Sequence, residues 1–154
     1  MSEVKIKTKQ FIYSNSLRWL GEKRGLLSSP NKPDIEIATP PEFKGHSGFW
    51  TPEELFVASV NTCIMTTFLH YADKEGLEFL SYQSDAEGIL ERVENQFIFS
   101  AIKIRPRVLV STDEDVKRAE ELIGLSEKNC LISNSIKSKV EVIPEVKIEL
   151  NRRN

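Results

Sequence analysis

The chain carries two cysteines, Cys63 and Cys130, and they are its first candidates for chemistry. Two thiols that meet in a fold can take up two electrons as a disulfide, whereas a lone buried thiol is a small apolar residue. Cys63 lies about three turns into a helix opened by Thr51-Pro52-Glu53-Glu54. Its neighbours Val60 and Ile64 favour burial, so a core residue and a reactive thiol are both open readings. Reactivity there requires an arginine or lysine nearby, because apolar surroundings raise a thiol pKa. Cys130 follows Lys128 and Asn129 and leads into Leu131-Ile132-Ser133-Asn134-Ser135-Ile136, read as a short third helix starting near the thiol. Free amides and the dipole of a helix start favour a thiolate, and a half-buried cap residue is the competing reading. The 67 positions between the two cysteines leave open whether they meet.

Other polar residues have ordinary explanations beside functional ones. Acidic residues stabilise a first helical turn. Glu54 suits a capping box with Thr51, which leaves Glu53 free for other work. Arg24 stands beside Gly25 in a turn, where a solvated charge is the default. His70 follows Cys63 by seven positions, two turns or about 10 Å along a helix, too far for direct base catalysis. His46 sits in a glycine-flanked loop and reads as a surface residue. Two Cys and two His without CxxC or HxxxH spacing imply no metal site, and nothing in the chain calls for a cofactor.

These residues need elements to position them, and 154 residues fit one domain with a real core. With 40% hydrophobic and 29% charged residues the composition is that of a globular chain. A net charge of −2 without a basic stripe argues against nucleic acid. No apolar run reaches the roughly 18 residues of a membrane span, and Met1–Lys7 lacks a signal-peptide core. A cytoplasmic location follows as the expectation. There two cysteines are reduced, catalytic or ligand-forming more often than a permanent staple.

Alternation at Val4, Ile6 and Thr8 and at Ile35-Glu36-Ile37 predicts strands, with a turn at Gly21–Gly25. Pro40-Pro41 and Gly45-His46-Ser47-Gly48 break regular structure. Leu55, Phe56, Val60, Ile64, Phe68 and Leu69 recur at helical spacing until Gly76. Ala58, Ser59, Asn61, Thr62 and Thr66 are small enough to admit a second helix closely. Residues 78–92 and 96–110 flank Glu94-Asn95, a hairpin turn. A second helix runs from about Ser111 to Leu125, with Val116, Ala119, Leu122 and Ile123 inward. Val140–Val142 and Val146–Leu150 close the chain as strands around Pro144, which suits a bend or an edge. The pattern is α+β.

The stretch from Thr51 to Cys63 resembles the central helix of the OsmC/Ohr family, the osmotically induced and organic-hydroperoxide-resistance proteins. That family opens the helix with Pro-Glu-Glu/Gln-Leu and places a peroxidatic cysteine ten residues after the first Glu, as Glu53 and Cys63 stand here. Cys130 to Val140 resembles the family's C-terminal cysteine segment, although Leu131 stands where the family often has proline. The loop between Arg24 and the helix also lacks part of the family's glycine-rich run. The resemblance spans about residues 10–150 and implies one OsmC-like domain over 1–154, with antiparallel sheets around a central helix in an intertwined homodimer.

It further implies thiol-dependent reduction of hydroperoxides, with Cys63 peroxidatic and Cys130 resolving. Glu53 would hold an arginine beside the thiolate, Arg24 being the best match and Arg18 the second. An external dithiol, lipoyl or thioredoxin-like, would reduce the disulfide. On one straight helix Glu53 and Cys63 lie about 15 Å apart along the axis, so an antiparallel helix from a second subunit would have to complete the site. Phe49, Trp50, Phe56 and Met65 could line a pocket for an alkyl or aryl hydroperoxide or could be plain core. A small-ligand-binding protein and a redox sensor of the same fold are the alternatives.

Overall fold

Gly21 and Glu22, with φ of 106° and 51°, turn the chain back on itself between β1 (Ser16–Gly21) and β2 (Arg24–Ser28). The structure, a computed structural model, describes residues 8–149. Val4 and Ile6 of the expected first strand, and Leu150 of the expected last, lie outside that range. Thr8 belongs to no regular element, and the first described strand is β1. β3 (Ile35–Ala38) pairs with β2 to give an antiparallel sheet ordered β1-β2-β3. These strands and the loop after them form one compact unit, residues 1–52; residues 53–154 form a second.

The second unit is built on α1 (Pro52–Glu75) and the hairpin of β4 (Ser81–Val93) and β5 (Gln96–Val110). Gly76, at φ 66°, ends α1 where a left-handed residue is needed. The Leu77 amide then bonds back to the Ala72 carbonyl at 2.9 Å. Glu94 and Asn95 both take positive φ, so the predicted two-residue hairpin turn is present. Along β5 the side chains alternate: Ile102, Ile104, Pro106, Val108 and Val110 are buried, while Lys103, Arg105 and Arg107 point outward. Gly88 lets α1 approach the hairpin, because a Cβ there would overlap Val57 and the Phe99 ring.

α2 (Asp113–Asn129) crosses back to β6 (Lys139–Val142) and β7 (Glu145–Ile148), both parallel to β5. The second sheet is therefore mixed, and the fold is α+β as expected. Pro106 explains the break between β6 and β7. Even-numbered β5 residues face that edge, as the bond from the Ile143 amide to the Ile104 carbonyl shows, so Pro106 presents no N–H where Ile143-Pro144 passes. Two apolar clusters result. Phe68, Ala72, Leu77, Val108, Val110, Ala119, Leu122 and Ile123 form one, and Val60, Ile64, Ile102, Ile104 and Cys130 form the other.

Two sequence expectations are corrected here. The third helix does not start at Cys130. α2 runs to Asn129, four residues beyond the expected end, since nothing from Ser126 to Asn129 breaks a helix, and Cys130 is its C-cap at ψ 117°. Only a 3₁₀ turn, Ser133–Ser135, follows. The expectation that no apolar run reaches membrane-spanning length also fails: α1 has 24 residues and an 18-residue window of mean hydropathy 1.3. Its buried residues Val60, Ile64, Phe68 and Ala72 belong to the two clusters, as in the core helix of a globular unit.

Candidate functional site

Val60 and Ile64 fix the rotation of α1 by burying against Ile102 and Ile104. Cys63 precedes Ile64 and sits at the margin of that stripe, half-buried where Cys130 is wholly buried. α2 delivers Cys130. Thr112 caps its start by accepting from the Asp115 amide at 3.2 Å. The inward stripe Ala119, Leu122, Ile123 and Ser126 then continues at helical spacing to Cys130. The buried Ser126 hydroxyl is satisfied within the helix, donating to the Leu122 carbonyl at 2.7 Å. The two thiols are free, and Cys63 packs against the cluster that contains Cys130.

The two sulfurs are electrostatically unlike. Burial works against ionising Cys63. That effect is outweighed by hydrogen bonds from the Cys130 thiol, the Ile132 amide, the Thr67 hydroxyl and the Leu131 amide, and the net pKa lies below the ordinary thiol value. The Thr67 Oγ1 is 3.9 Å from the Cys63 sulfur. For Cys130, burial and the bond given to Cys63 both favour the neutral form. Ser133 opposes them, partly through its amide, 3.5 Å from the sulfur, but the net direction is upward. The helix-start argument for Cys130 is thus reversed, because the carbonyl end of α2 disfavours a thiolate. The arrangement suits one sulfur that attacks and one that waits protonated.

Of the sequence-predicted residues, Cys63 and Cys130 are brought together. Glu53 stands in the first turn of the same continuous α1, about 15 Å along the axis from Cys63, with a buried Oε2 that has no hydrogen-bond partner among the described residues. Arg24 opens β2 in the N-terminal unit. Its Nε is likewise buried without a partner, and its guanidinium lies over the Phe49 ring at 5.3 Å. Arg18, the second choice, is exposed on β1. His46 pairs with Glu22 at 3.4 Å, and His70 is exposed. Of the four candidate pocket residues, Phe56 stacks on Phe99 at 5.0 Å and Trp50 is exposed. Phe49 lies under Arg24, and Met65 is half-buried on α1.

Sequence reasoning missed Thr67. Thr67 follows Cys63 by four positions, a spacing that makes helix neighbours.

Residues 45–145 match the family described as OsmC-like protein. The chain is 30% identical to the uncharacterized protein YmaD of Bacillus subtilis over 137 residues, covering 86% of this chain and 91% of that one. An OsmC-like protein of unknown function from Vibrio cholerae superposes with a TM-score of 0.79 at 22% identity, over 88% of this chain and 99% of the other. An organic hydroperoxide resistance protein from Elizabethkingia anophelis superposes with a TM-score of 0.70 at 19% identity, over 92% and 100%.

Proposed function

Since the chain belongs to the OsmC-like family, we propose that it is a cytoplasmic thiol peroxidase that reduces organic hydroperoxides through a two-cysteine cycle. The observation that carries this reading is that two free thiols 67 positions apart share one apolar cluster, with Cys63 drawn toward thiolate and Cys130 away from it. The Cys63 thiolate attacks the distal oxygen of ROOH, the O–O bond breaks, and the leaving alkoxide takes a proton to become ROH. Cys63 is then a sulfenic acid. Cys130 gives up its proton and attacks that sulfur, forming the disulfide and releasing water. An external dithiol of lipoyl or thioredoxin type restores both thiols and is itself oxidised to a disulfide.

The active form in this reading is a homodimer. Glu53 and Arg24 each bury a polar atom without a partner among the described residues, and a buried unpaired ionic atom is costly. Phe11, Ile12, Tyr13, Leu17 and Trp19 remain exposed, Trp19 at 74%. A second copy that covers them and joins Arg24 and Glu53 beside Cys63 satisfies both conditions. The guanidinium then stabilises the thiolate and polarises the peroxide, and Glu53 orients it.

The test is steady-state consumption of cumene hydroperoxide with dihydrolipoamide as reductant. Turnover abolished by Cys63→Ser supports the reading; oxidation that stops after one equivalent contradicts it and indicates a sensor.

A further inference from the structure

We propose that Phe49 is a positioning residue whose ring seats the Arg24 guanidinium, restraining the cation while leaving its N–H donors free for a carboxylate and a peroxide. The seat lies wholly within the N-terminal unit. Its part in turnover rests on the peroxidase reading.

Three neighbouring stretches of backbone bring the two side chains together. Arg24 of β2 is the register partner of Ala38 on β3. Beyond β3 the chain returns as a single parallel bridge, Ile37 to Trp50, and the Ala38 amide donates to the Trp50 carbonyl at 2.9 Å. The loop between is pinned as well, the Thr39 amide donating to the Lys23 carbonyl at 3.0 Å and the His46 amide to the Thr39 carbonyl at 2.9 Å. Side chains alternate along extended backbone, and register partners share a face. With Trp50 on the face of Ile37, Phe49 falls on the other, the face of Ala38 and Arg24. Two strand spacings, about 10 Å, separate the backbones at 24 and 49. A long arginine side chain spans that gap, and Ala38, wholly buried between them, is small enough to be passed over. The guanidinium carbon arrives 5.3 Å from the centre of the Phe49 ring.

Charge gives the ring its importance. The Arg24 Nε is buried and has no hydrogen-bond partner among the described residues. The nearest acid in sequence, Glu22, lies 3.4 Å from His46 instead. An aromatic face attracts a cation through its quadrupole, and the attraction strengthens where water is excluded. A carboxylate in the same place would accept the paired N–H bonds of the guanidinium fork and offset its charge. The ring does neither, so the arginine is held and remains open to an anion.

The experiment follows the Arg24 Nε–Hε resonance in the isotope-labelled full chain, assigned by its loss in Arg24→Met. The ring current is expected to displace it upfield. Phe49→Leu returns it to the position of a free arginine, and Phe49→Tyr, which keeps the ring, keeps the displacement. A second arm measures oxidation of Cys63 by cumene hydroperoxide. Phe49→Leu is expected to slow it about three- to tenfold, the range of a partly buried cation–ring contact. Phe49→Tyr restores the rate, and Phe49→Leu adds no loss in an Arg24→Met background. A resonance unmoved by Phe49→Leu, or an equal loss of rate in the Arg24→Met background, overturns the proposal. Should Phe49→Leu not fold, pentafluorophenylalanine incorporated at position 49 decides, since it keeps the shape of the ring and removes its attraction for a cation. Faster exchange of the Arg24 Nε proton with water then supports the seat, and an unchanged exchange rate overturns it. A resonance that behaves as expected while Arg24→Met oxidises Cys63 at the full rate supports the seat and counts against the placement of Arg24 beside Cys63, so the two failures are distinguishable.

Discussion

Cys63 packs against the apolar cluster that holds Cys130, 67 positions away in sequence, and the surroundings of the two sulfurs set them apart chemically. Cys130 is favoured as the neutral thiol and Cys63 as the anion. Burial raises both pKa values; hydrogen bonding outweighs it at Cys63, whereas at Cys130 the bonds from Ser133 do not.

The pH dependence follows with a definite sign. Because Cys63 is lowered, its alkylation rate and its rate of oxidation by peroxide rise through a midpoint below the ordinary thiol value of about 8.5 and then level off. The corresponding stability contribution is present above the unfolded-state pKa and is lost as pH falls through the lowered folded value. Cys130 behaves oppositely: its contribution is present below the unfolded value and fades as pH rises through the raised one. Stopped-flow oxidation between pH 5 and 9, a range chosen to bracket the midpoint of about 8.5 or less, checks the first sign.

Thr67→Val removes the hydroxyl 3.9 Å from the Cys63 sulfur while keeping the shape of the side chain. The Cys63 midpoint is expected to rise on the order of half a pH unit, from a hydrogen bond worth about 0.5–1.5 kcal/mol. Alkylation against pH reads it directly.

Cys130→Ser removes the thiol proposed to resolve the sulfenic acid. After one hydroperoxide addition the variant is expected to hold Cys63 as sulfenic acid, trapped by dimedone, with no disulfide and no multiple turnover. The unaltered protein should give little adduct under the same conditions.

Much of this arrangement was legible in the sequence, and the illegible part has a physical reason. α1 was readable because a proline-led start, a helical stripe and Gly76 all agree on its limits. The hairpin was readable because Glu94-Asn95 supplies two residues tolerant of positive φ. The end of α2 was not, because Ser126 to Asn129 carry no stop signal, and four extra residues convert Cys130 from a helix start into a helix end. Continuing the stripe from Leu122 through Ser126 to Cys130 would have located it. Glu53 and Arg24 were legible as candidates, and the proposal that a second copy joins them goes beyond what one strand and one helix specify.

Glu53→Gln and Arg24→Met test the composite site. Each is expected to lower the peroxide reaction about tenfold or more, the scale of a lost charge-assisted hydrogen bond. Mixing Glu53→Gln with Cys63→Ser subunits should restore part of the activity if one site draws on both copies. Sedimentation of the unaltered protein should give a dimer, and a fully active monomer would contradict the proposal.

Packing between α1 and the hairpin is tested by Gly88→Ala. The new Cβ meets Val57 and Phe99, and overpacking of this kind costs about 1–3 kcal/mol. A lower urea midpoint with an unchanged slope is the expected result.

The most direct test of the account is peptide mapping under non-reducing conditions after one equivalent of cumene hydroperoxide is added to the reduced protein. The account predicts a peptide in which Cys63 and Cys130 are joined, together with loss of both free thiols. Consumption of the peroxide with the two cysteines recovered unlinked, or no reaction at all, would contradict it.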